Sequence, residues 1–358
     1  MSMQHAASSR QKIQWRSRGW LAAAVCLGVI ATGCGSDEQR TVRLVTHGDW
    51  EMSSDVLEAF TSETGIAIEV LDGGSAAVLV NQAVLTAGNP VADVLFGIDN
   101  TLLSRALAAD VFVPYTSPNL TAVSPGLVLD PEHRVTPIDY GDVCLNYDLL
   151  AFTDPPPPSG LIGIIDPAYR GMTVVQDPTL SSPGLAFMLT TIAEFGESGE
   201  YTWLDYWADL RANDVTVVSS WSTAYFDRFT GARSGGDLPI VVSYATSPAA
   251  EVLFATEPDT VASTASLTED CFRQIEFAGI LAGTPNESEA QALIDFMLGQ
   301  AFQEAIAPNM FVYPARTGTA LHPAFGTAPD PNATTMDPDM IDANRERWLA
   351  EWTDVVLR

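Results

Sequence analysis

The sequence predicts an α/β fold with a mostly parallel sheet flanked by helices. Residues 41–46, 66–71 and 92–98 are predicted strands, and a helical pattern follows each of them. This βαβαβα alternation is typical of parallel strands covered by helices. Because the carboxyl ends of such strands meet at one edge of the sheet, where ligands bind in open α/β folds, we expect a ligand site there.

The first helices have recognisable beginnings and ends. Ser53 and Ser54 cap the first helix and Gly65 stops it, since glycine readily leaves the helical conformation. The second helix begins at Ala76, after the turn Gly73-Gly74-Ser75, and the third covers residues 101–109. Each junction therefore carries small or capping residues, so several helix N-termini point towards the same edge.

The second half of the chain repeats the α/β pattern. Ser181 and Ser182 followed by Pro183 predict a helix start, whose free N–H groups suit a phosphate or carboxylate. A simple helix cap is the alternative. The predicted strands are 135–147, 171–176, 215–219, 238–244 and 271–280, the predicted helices are 185–195, 288–298, 300–306 and 341–357, and 154–158 is a polyproline connector.

The last helix is predicted to be amphipathic, with Ile341, Trp348, Trp352 and Val355 on its buried side. Before it, residues 219–251 form the strongest candidate site. Trp221 opens a helix-like run, and Tyr244 ends a strand just before small hydroxyl residues and Pro248. Two such rings suit a planar or cationic ligand, with ordinary core packing as the alternative.

The first 33 residues are predicted to be a lipoprotein signal peptide. Four basic residues precede a short apolar run at 20–30, and small residues lead to Cys34 in a pattern that resembles a bacterial lipobox. Lipidation of Cys34 would leave residues 34–40 as a tether and place the exported chain at the outer face of the cytoplasmic membrane. An ordinary secretory leader with an incidental cysteine is the alternative.

The charge of the chain limits its partners. The leader holds four of the 17 basic residues and none of the 45 acidic ones, so the mature net charge falls from −28 to −32. Nucleic-acid binding needs basic patches, so no nucleic-acid partner is expected. The acidity suits a cationic ligand, and solubility alone would also explain it.

Known catalytic patterns are absent from the sequence. It has no G-x-S-x-G elbow, Walker loop, G-x-G-x-x-G or H-E-x-x-H motif, and no Cys/His cluster with metal spacing. We therefore expect a binding protein that uses no cofactor or metal, and no catalytic residue is named. Cys144 and Cys271 are the mature cysteines besides Cys34, and whether they form a disulfide stays open.

Six segments carry a family resemblance. In chain order they are GIDN (97–100), IDYG (138–141), QDPTLSSPGLAF (176–187), SSWSTAYFDRF (219–229), VVSYATSPA (241–249) and VYPA (312–315). Together they resemble the thiamine-binding periplasmic proteins, the solute-binding components of ABC importers for thiamine and its phosphates. The resemblance implies delivery to an ABC permease with its ATPase, and we expect a monomer.

The resemblance also implies a fold, a two-lobed periplasmic-binding-protein clamshell of type II-like topology. Each lobe would be a mostly parallel sheet flanked by helices, the first from 41–139 with 280–340 and the second from 140–279. The chain would cross between lobes near 139–146 and 272–279, and the helix 341–358 would pack across the back. Each crossing segment holds one of the two mature cysteines, so a Cys144–Cys271 bridge would tie them together.

The resemblance implies the following ligand contacts. Trp221 would hold the thiamine rings, and Ser181 and Ser182 would meet the phosphate end. The remaining implied ligand contacts are Ser75, Ala76, Tyr244, Ala245, Thr246 and Ser247.

Departures from the family pattern keep alternatives open. Ser75 stands where the family can carry an acidic residue, and Ala250 stands where it can carry an aromatic one. Asp72 or Asp99 would be able to supply the missing charge. A second hypothesis is therefore the same clamshell with a polyamine-like ligand or another cationic heterocycle. A third is a surface hydrolase of thiamine phosphates.

Overall fold

The alternation of strands and helices predicted for the first half is observed. The computed structural model describes residues 39–231, 235–255 and 260–358, so the predicted leader and residues 34–38 of the tether lie outside the described residues. The strands are β1 (Arg40–Thr46), β2 (Ile66–Asp72), β3 (Val94–Asp99), β4 (Phe112–Val113), β5 (Thr136–Asp148), β6 (Thr173–Gln176), β7 (Thr216–Val218), β8 (Ile240–Tyr244), β9 (Thr264–Ser266), β10 (Phe272–Leu281) and β11 (Tyr313–Pro314). The α-helices are α1 (Ser54–Thr64), α2 (Ala76–Leu85), α3 (Leu103–Ala108), α4 (Gly160–Ile164), α5 (Ser182–Phe195), α6 (Trp203–Ala212), α7 (Ser247–Leu253), α8 (Glu287–Met297), α9 (Gln300–Met310) and α10 (Pro338–Val356).

The outer parts of the sheet are parallel. β1 pairs in parallel with β2 on one side and with β3 on the other. All six residues of β3 are buried, as expected for a parallel strand covered on both faces. On the far side, β6 pairs in parallel with β7 and β8. The predicted α/β class with flanking helices is therefore confirmed. The sheet as a whole is mixed, because the pairings of β5 and β10 are antiparallel.

One continuous sheet joins these parallel parts. Its order is β2-β1-β3-β10-β5-β8-β6-β7, with β4 beside β10 and with β9 and β11 beside β5. The middle strands β10 and β5 run antiparallel to each other and to their outer neighbours β3 and β8. They are also long, with 10 and 13 residues, so each extends well beyond the short outer strands.

Two large hydrophobic cores share these middle strands. Ile138 of β5 and Phe277 of β10 belong to the first core, together with residues of α1, α2, α8 and α9. Val143 of β5 and Phe272 of β10 belong to the second core, together with residues of α5, α6 and α10. The two strands therefore contribute to both cores, which is the arrangement expected of segments that cross between two lobes.

The last helix differs from its prediction in its bounds and in one buried residue. α10 begins at Pro338, because the Asp337 side chain accepts a hydrogen bond from the Asp339 N–H at 2.9 Å and proline fits the first turn. Ile341, Trp348 and Trp352 are buried as predicted. Val355 is only half-buried and Val356 takes its place, since 348, 352 and 356 follow the four-residue spacing of one helix face.

Three helices, α4, α6 and α7, were not predicted from the sequence. For α6 the signals were present: Thr202 and Asp205 form a capping box, and the aromatic and apolar residues follow at helical spacing. Trp207 of α6 packs edge to face on Trp352 of α10, with ring centroids 5.5 Å apart. α6 is therefore part of the second core. Within the described ranges, none of the helices has the length and apolarity to cross a bilayer.

Candidate ligand-binding cleft

A cleft of about 270 Å³ lies at the carboxyl ends of the parallel strands. Its lining comes from the segments that follow β1, β2, β6 and β7, and from the last residue of β8. The middle strands β5 and β10 add residues between these two groups of loops. This is the edge of the sheet at which the sequence predicts a ligand site.

Six of the nine predicted ligand-binding residues line this cleft. They are Ser75, Ala76, Ser181, Ser182, Trp221 and Tyr244. Ser75 caps α2, because its Oγ accepts a hydrogen bond from the Val78 N–H at 3.4 Å. Ser182 begins α5, a 14-residue helix whose N-terminus therefore faces the cleft. Such a terminus favours an anionic group.

The aromatic wall of the cleft is built around Trp221. Its ring stacks on Tyr225 with centroids 5.0 Å apart and an interplanar angle of 10°, and the Tyr244 ring lies 6.3 Å away. Tyr225 belongs to a π-helix, Thr223–Arg228, where the sequence predicted only a helix-like run. The Trp221 Nε1–H donates to Ser243 Oγ at 2.9 Å. The indole is therefore held in place by both stacking and a hydrogen bond.

Ala245 lies outside the lining of the cleft. It is buried against Cys144 and Cys271, which the structure joins in a disulfide. The bridge links Cys144, inside β5, to Cys271, the residue that precedes β10. The bond that the sequence left open thus connects the two predicted crossing segments.

Thr246 and Ser247 also lie outside the lining. The Thr246 hydroxyl donates to the carbonyl oxygen of Phe311. The Ser247 Oγ lies 2.7 Å from Ser243 Oγ and accepts a hydrogen bond from the Tyr244 N–H at 3.2 Å. These hydroxyls therefore bond to residues next to the aromatic wall and do not face the cleft.

Three carboxylates form a row across neighbouring strands. Glu276 of β10 is paired in register with Asp99 of β3 on one side and with Asp139 of β5 on the other. All three are buried, and Asp139 and Glu276 line the cleft. Asp99 and Asp139 each lie within one of the segments that resemble the family. Asp139 and Glu276 were not predicted to be site residues. Only the strand register brings the three together.

Asp72, the other acid considered from the sequence, has a local role. Its Oδ1 accepts a hydrogen bond from the Gly74 N–H at 2.8 Å, so it shapes the turn before α2. Asp99 likewise accepts hydrogen bonds from the Thr101 N–H at 2.7 Å and from the Thr101 hydroxyl at 2.5 Å. Neither lines the cleft, whereas Asp49, which was not predicted, does.

His47 contacts the carboxylate row from the end of β1. Its Nε2 lies 3.6 Å from Glu276 Oε2. The close approach depends on Gly97, where a Cβ atom would lie 2.1 Å from His47 Cδ2 and where φ is +95°. Burial is the largest single influence and acts to lower the pKa of His47, but the charge and hydrogen bond of Glu276 together with the charges of Asp49 and Asp99 outweigh it, so this pKa is raised above 6.5.

Burial changes the protonation of the acidic groups in the cleft. It raises the pKa of Asp139 well above 3.8, and the charge of Glu276 adds to the effect. Burial also raises the pKa of Asp99, and that of the Tyr244 hydroxyl rises well above 10. A desolvated carboxyl beside another negative group holds its proton more tightly than one in water.

One hydrogen bond spans the cleft. The Ser222 hydroxyl, beyond β7, donates to Asp49 Oδ1, beyond β1, at 2.5 Å. β1 contributes to the first core and β7 to the second. This contact therefore connects the two sides of the cleft directly.

Known proteins share this architecture. Residues 89–343 match the family described as bacterial extracellular solute-binding protein. The thiamine-binding periplasmic proteins of Salmonella typhimurium and Escherichia coli are 28% and 29% identical, over 87% of this chain and 90% of theirs. A solved periplasmic thiamin binding protein superposes with a TM-score of 0.79 at 26% identity, covering 90% of this chain and 98% of its own.

A more distant relative binds a different ligand. The Fe(3+)-binding periplasmic protein of Serratia marcescens is 23% identical over 91% of this chain and 93% of its own. A shared fold thus does not fix the ligand, which depends on the residues of each cleft. The family model covers most of this chain, and the solved relative shares its fold over 90% of the chain. The chain therefore belongs to the bacterial extracellular solute-binding protein family.

Proposed function

We propose that this chain is the solute-binding lipoprotein of an ABC importer that captures thiamine or its phosphates. It would carry the ligand to a membrane permease driven by an ATPase. The observation that supports this most is the combination within one cleft of the Trp221 and Tyr244 rings, the Asp49, Asp139 and Glu276 carboxylates and the N-terminus of α5. Thiamine phosphates have planar rings that suit the aromatic side chains, a positive ring charge that suits the carboxylates, and an anionic end that suits the helix N-terminus.

The aromatic and acidic groups suit the ring end of the ligand. A cation held over an aromatic face gains roughly 0.5–2 kcal/mol, and more when water is excluded. Carboxylates beside the rings add Coulomb attraction that a partly enclosed cleft strengthens. The named relatives from Salmonella typhimurium and Escherichia coli bind thiamine, which agrees with this ligand.

The other end of the cleft suits a phosphate. Ser181 and Ser182 line the cleft at the start of α5, where backbone N–H groups carry partial positive charge. The mature chain is strongly acidic overall, so such a local site matters for an anionic group. Thiamine itself would use only the ring end, and its phosphates would use both.

The proposed division into lobes follows the two cores. Lobe 1 would comprise 41–139 and 280–340, and lobe 2 would comprise 140–279, with the crossings near 139–146 and 272–279. The shared use of β5 and β10 by both cores supports this division. Closure of the lobes would exclude water from the ligand. The C-terminal helix, which contributes to the second core, would pack across the back.

Export and anchoring complete the proposal. The leader 1–33 and lipidation of Cys34, with the tether 34–40, would hold a monomer at the outer face of the membrane. We propose a binding role and no catalytic step, in keeping with the printed names of the relatives. Release of phosphate from thiamine diphosphate by the purified protein would contradict this and favour the hydrolase hypothesis.

A second candidate is the same clamshell with another cationic ligand, such as a polyamine or a different heterocycle. Ser75 and Ala250 favour it. The family that the chain resembles can carry a carboxylate and an aromatic ring at these two positions, and this chain carries neither. Ala250 is buried and does not line the cleft, whereas Ser75 does and is neutral. A ligand panel separates the two candidates.

The test is isothermal titration of the chain that begins after Cys34. It would be titrated with thiamine, thiamine monophosphate, thiamine diphosphate and spermidine, with tryptophan fluorescence followed in parallel. We expect thiamine or a phosphate to bind, and Trp221→Ala to weaken binding by at least about 1 kcal/mol, the size of one cation–π contact. Tyr201→Ala, which removes an exposed ring outside the cleft lining, is the control.

A further inference from the structure

Asp139 is a buried acid that lines the cleft. Its side chain lines the cleft although the residue is only 1% exposed. Among the described residues, its Oδ2 has no hydrogen-bond partner. Burying a charged oxygen without a partner costs free energy, so such a group is unusual in a folded protein unless something else pairs with it.

Its neighbour Glu276 is already paired. Glu276 Oε2 lies 3.6 Å from His47 Nε2, and Glu276 Oε1 accepts a hydrogen bond from Gln274 Nε2 at 3.1 Å. Asp139 stands directly opposite Glu276 in the antiparallel β5–β10 pair. Like charges placed opposite each other destabilise a sheet. The position of Asp139 therefore opposes stability and leaves one acid of the pair open towards the cleft.

We propose that Asp139 is the specificity-determining residue that pairs with the positive charge of the ligand ring and selects a cation over a neutral molecule of the same shape. Glu276 is a positioning residue that acts through Asp139. This inference rests on the proposed function, because it takes a cationic ring as the ligand. It deepens that function by assigning the selection to one side chain on a crossing strand.

Binding then exchanges a proton for the cation. The titratable groups that interact with Asp139 are Glu276 and Tyr244. Around these two lie His47, which interacts with Glu276, and Asp49 and Asp99, which interact with Tyr244. β11 contributes Pro314 opposite Asp139, which carries no charge. Burial beside Glu276 raises the pKa of Asp139 well above its usual value, so a proton competes with the cation for this carboxyl more strongly than it would for a carboxyl in water.

When the cation enters, the carboxyl O–H bond breaks and the proton leaves to solvent. The resulting carboxylate pairs with the ring charge, and no covalent bond to the ligand forms. Because the proton and the cation compete for one carboxylate, affinity should rise with pH until Asp139 is ionised in the free protein. A neutral ligand should show no such dependence and no proton release.

The experiment compares two ligands of the same shape on the full chain in detergent. One is thiamine, and the other is its neutral thiophene analogue, in which carbon replaces the charged ring nitrogen. Calorimetry in two buffers with different ionisation enthalpies counts the protons released. The variants are Asp139→Asn and Glu276→Gln, with Asp354→Asn as the control that removes one exposed charge outside the cleft.

We expect the wild type to release a proton with thiamine and none with the analogue. Asp139→Asn should lose roughly tenfold in thiamine affinity, keep its affinity for the analogue and release no proton. Glu276→Gln should shift the pH at which thiamine affinity levels off to lower values, a change that a purely structural role would not produce. The wild-type proton count needs no variant, so it tests the inference even if a variant folds poorly.

Equal losses for both ligands in Asp139→Asn, or no proton release by the wild type, would overturn the inference while leaving thiamine binding intact. If the wild type binds spermidine or another cation but not thiamine, the proposed ligand is wrong, and Asp139→Asn is then tested on that cation. A tenfold loss there supports the inference, and an unchanged affinity overturns it. If no cation binds, both proposals fail.

Discussion

The Trp221 indole and the Ser243 hydroxyl are joined by a hydrogen bond of 2.9 Å across the base of the aromatic wall. Ser243 Oγ in turn lies 2.7 Å from Ser247 Oγ, which also accepts a hydrogen bond from the Tyr244 N–H. One short chain of hydroxyls thus connects the Trp221 ring to the backbone of Tyr244. Ser247, predicted as a ligand contact, instead supports the residues that line it.

Replacing Ser243 by alanine should weaken ligand binding without removing any group from the cleft lining. The Trp221 Nε1–H would lose its partner and the indole would move more freely, so we expect a loss of about 1 kcal/mol, the net value of one hydrogen bond. Calorimetry on Ser243→Ala and on the exposed control Ser198→Ala would measure it. An affinity equal to that of the control would show that stacking on Tyr225 alone fixes the ring.

The Ser222–Asp49 contact should slow ligand release. Ser222→Ala removes a hydrogen bond that spans the cleft, so the closed form loses up to about 1.5 kcal/mol and ligand dissociation should accelerate by roughly tenfold at most. Stopped-flow tryptophan fluorescence would measure the dissociation rate. A slower release in Ser222→Ala would mean that Asp49, once freed, pairs with the ligand instead.

The buried Asp139 should make stability fall as pH rises. Its folded-state pKa lies above 3.8, so its contribution to the free energy of unfolding is full below that pH and is lost as pH rises through the raised value. Asp139→Asn should remove this loss and be more stable at neutral pH by about 1–3 kcal/mol, the cost of an unpaired buried group. Urea unfolding at several pH values, with Asp354→Asn as reference, checks the difference. A stability difference that does not grow with pH would refute the assignment.

The Cys144–Cys271 disulfide should contribute to stability through the unfolded state. It closes a loop with a sequence separation of 127, so replacing both cysteines by alanine should cost about 2–5 kcal/mol. Calorimetric melting with and without a reductant provides the measurement. The wild type should lose stability in the reductant and the double variant should not. An equal response of both proteins would exclude the disulfide as the cause.

Local sequence signals were sufficient for most of the fold. Both predicted limits of α1 are observed: Gly65 ends it in the left-handed conformation, and Ser53 stands at the N-cap position, although its side chain makes no cap hydrogen bond. The family-like segments also named Ser75, Ser181, Trp221 and Tyr244, which line one cleft in the structure. The start of α10 was predicted at residue 341, where the apolar spacing begins. The observed helix starts earlier, at Pro338, because proline fits the first turn.

The sequence by itself determined the α/β class, the family resemblance and the acidity, because these depend on periodicity, short motifs and composition. Only the tertiary structure decided which acids meet. Asp99, Asp139 and Glu276 are far apart in the chain, and the register of three adjacent strands places them side by side. This register depends on how β10 pairs with β3 and with β5. No local pattern in any one strand specifies the residues that it pairs with.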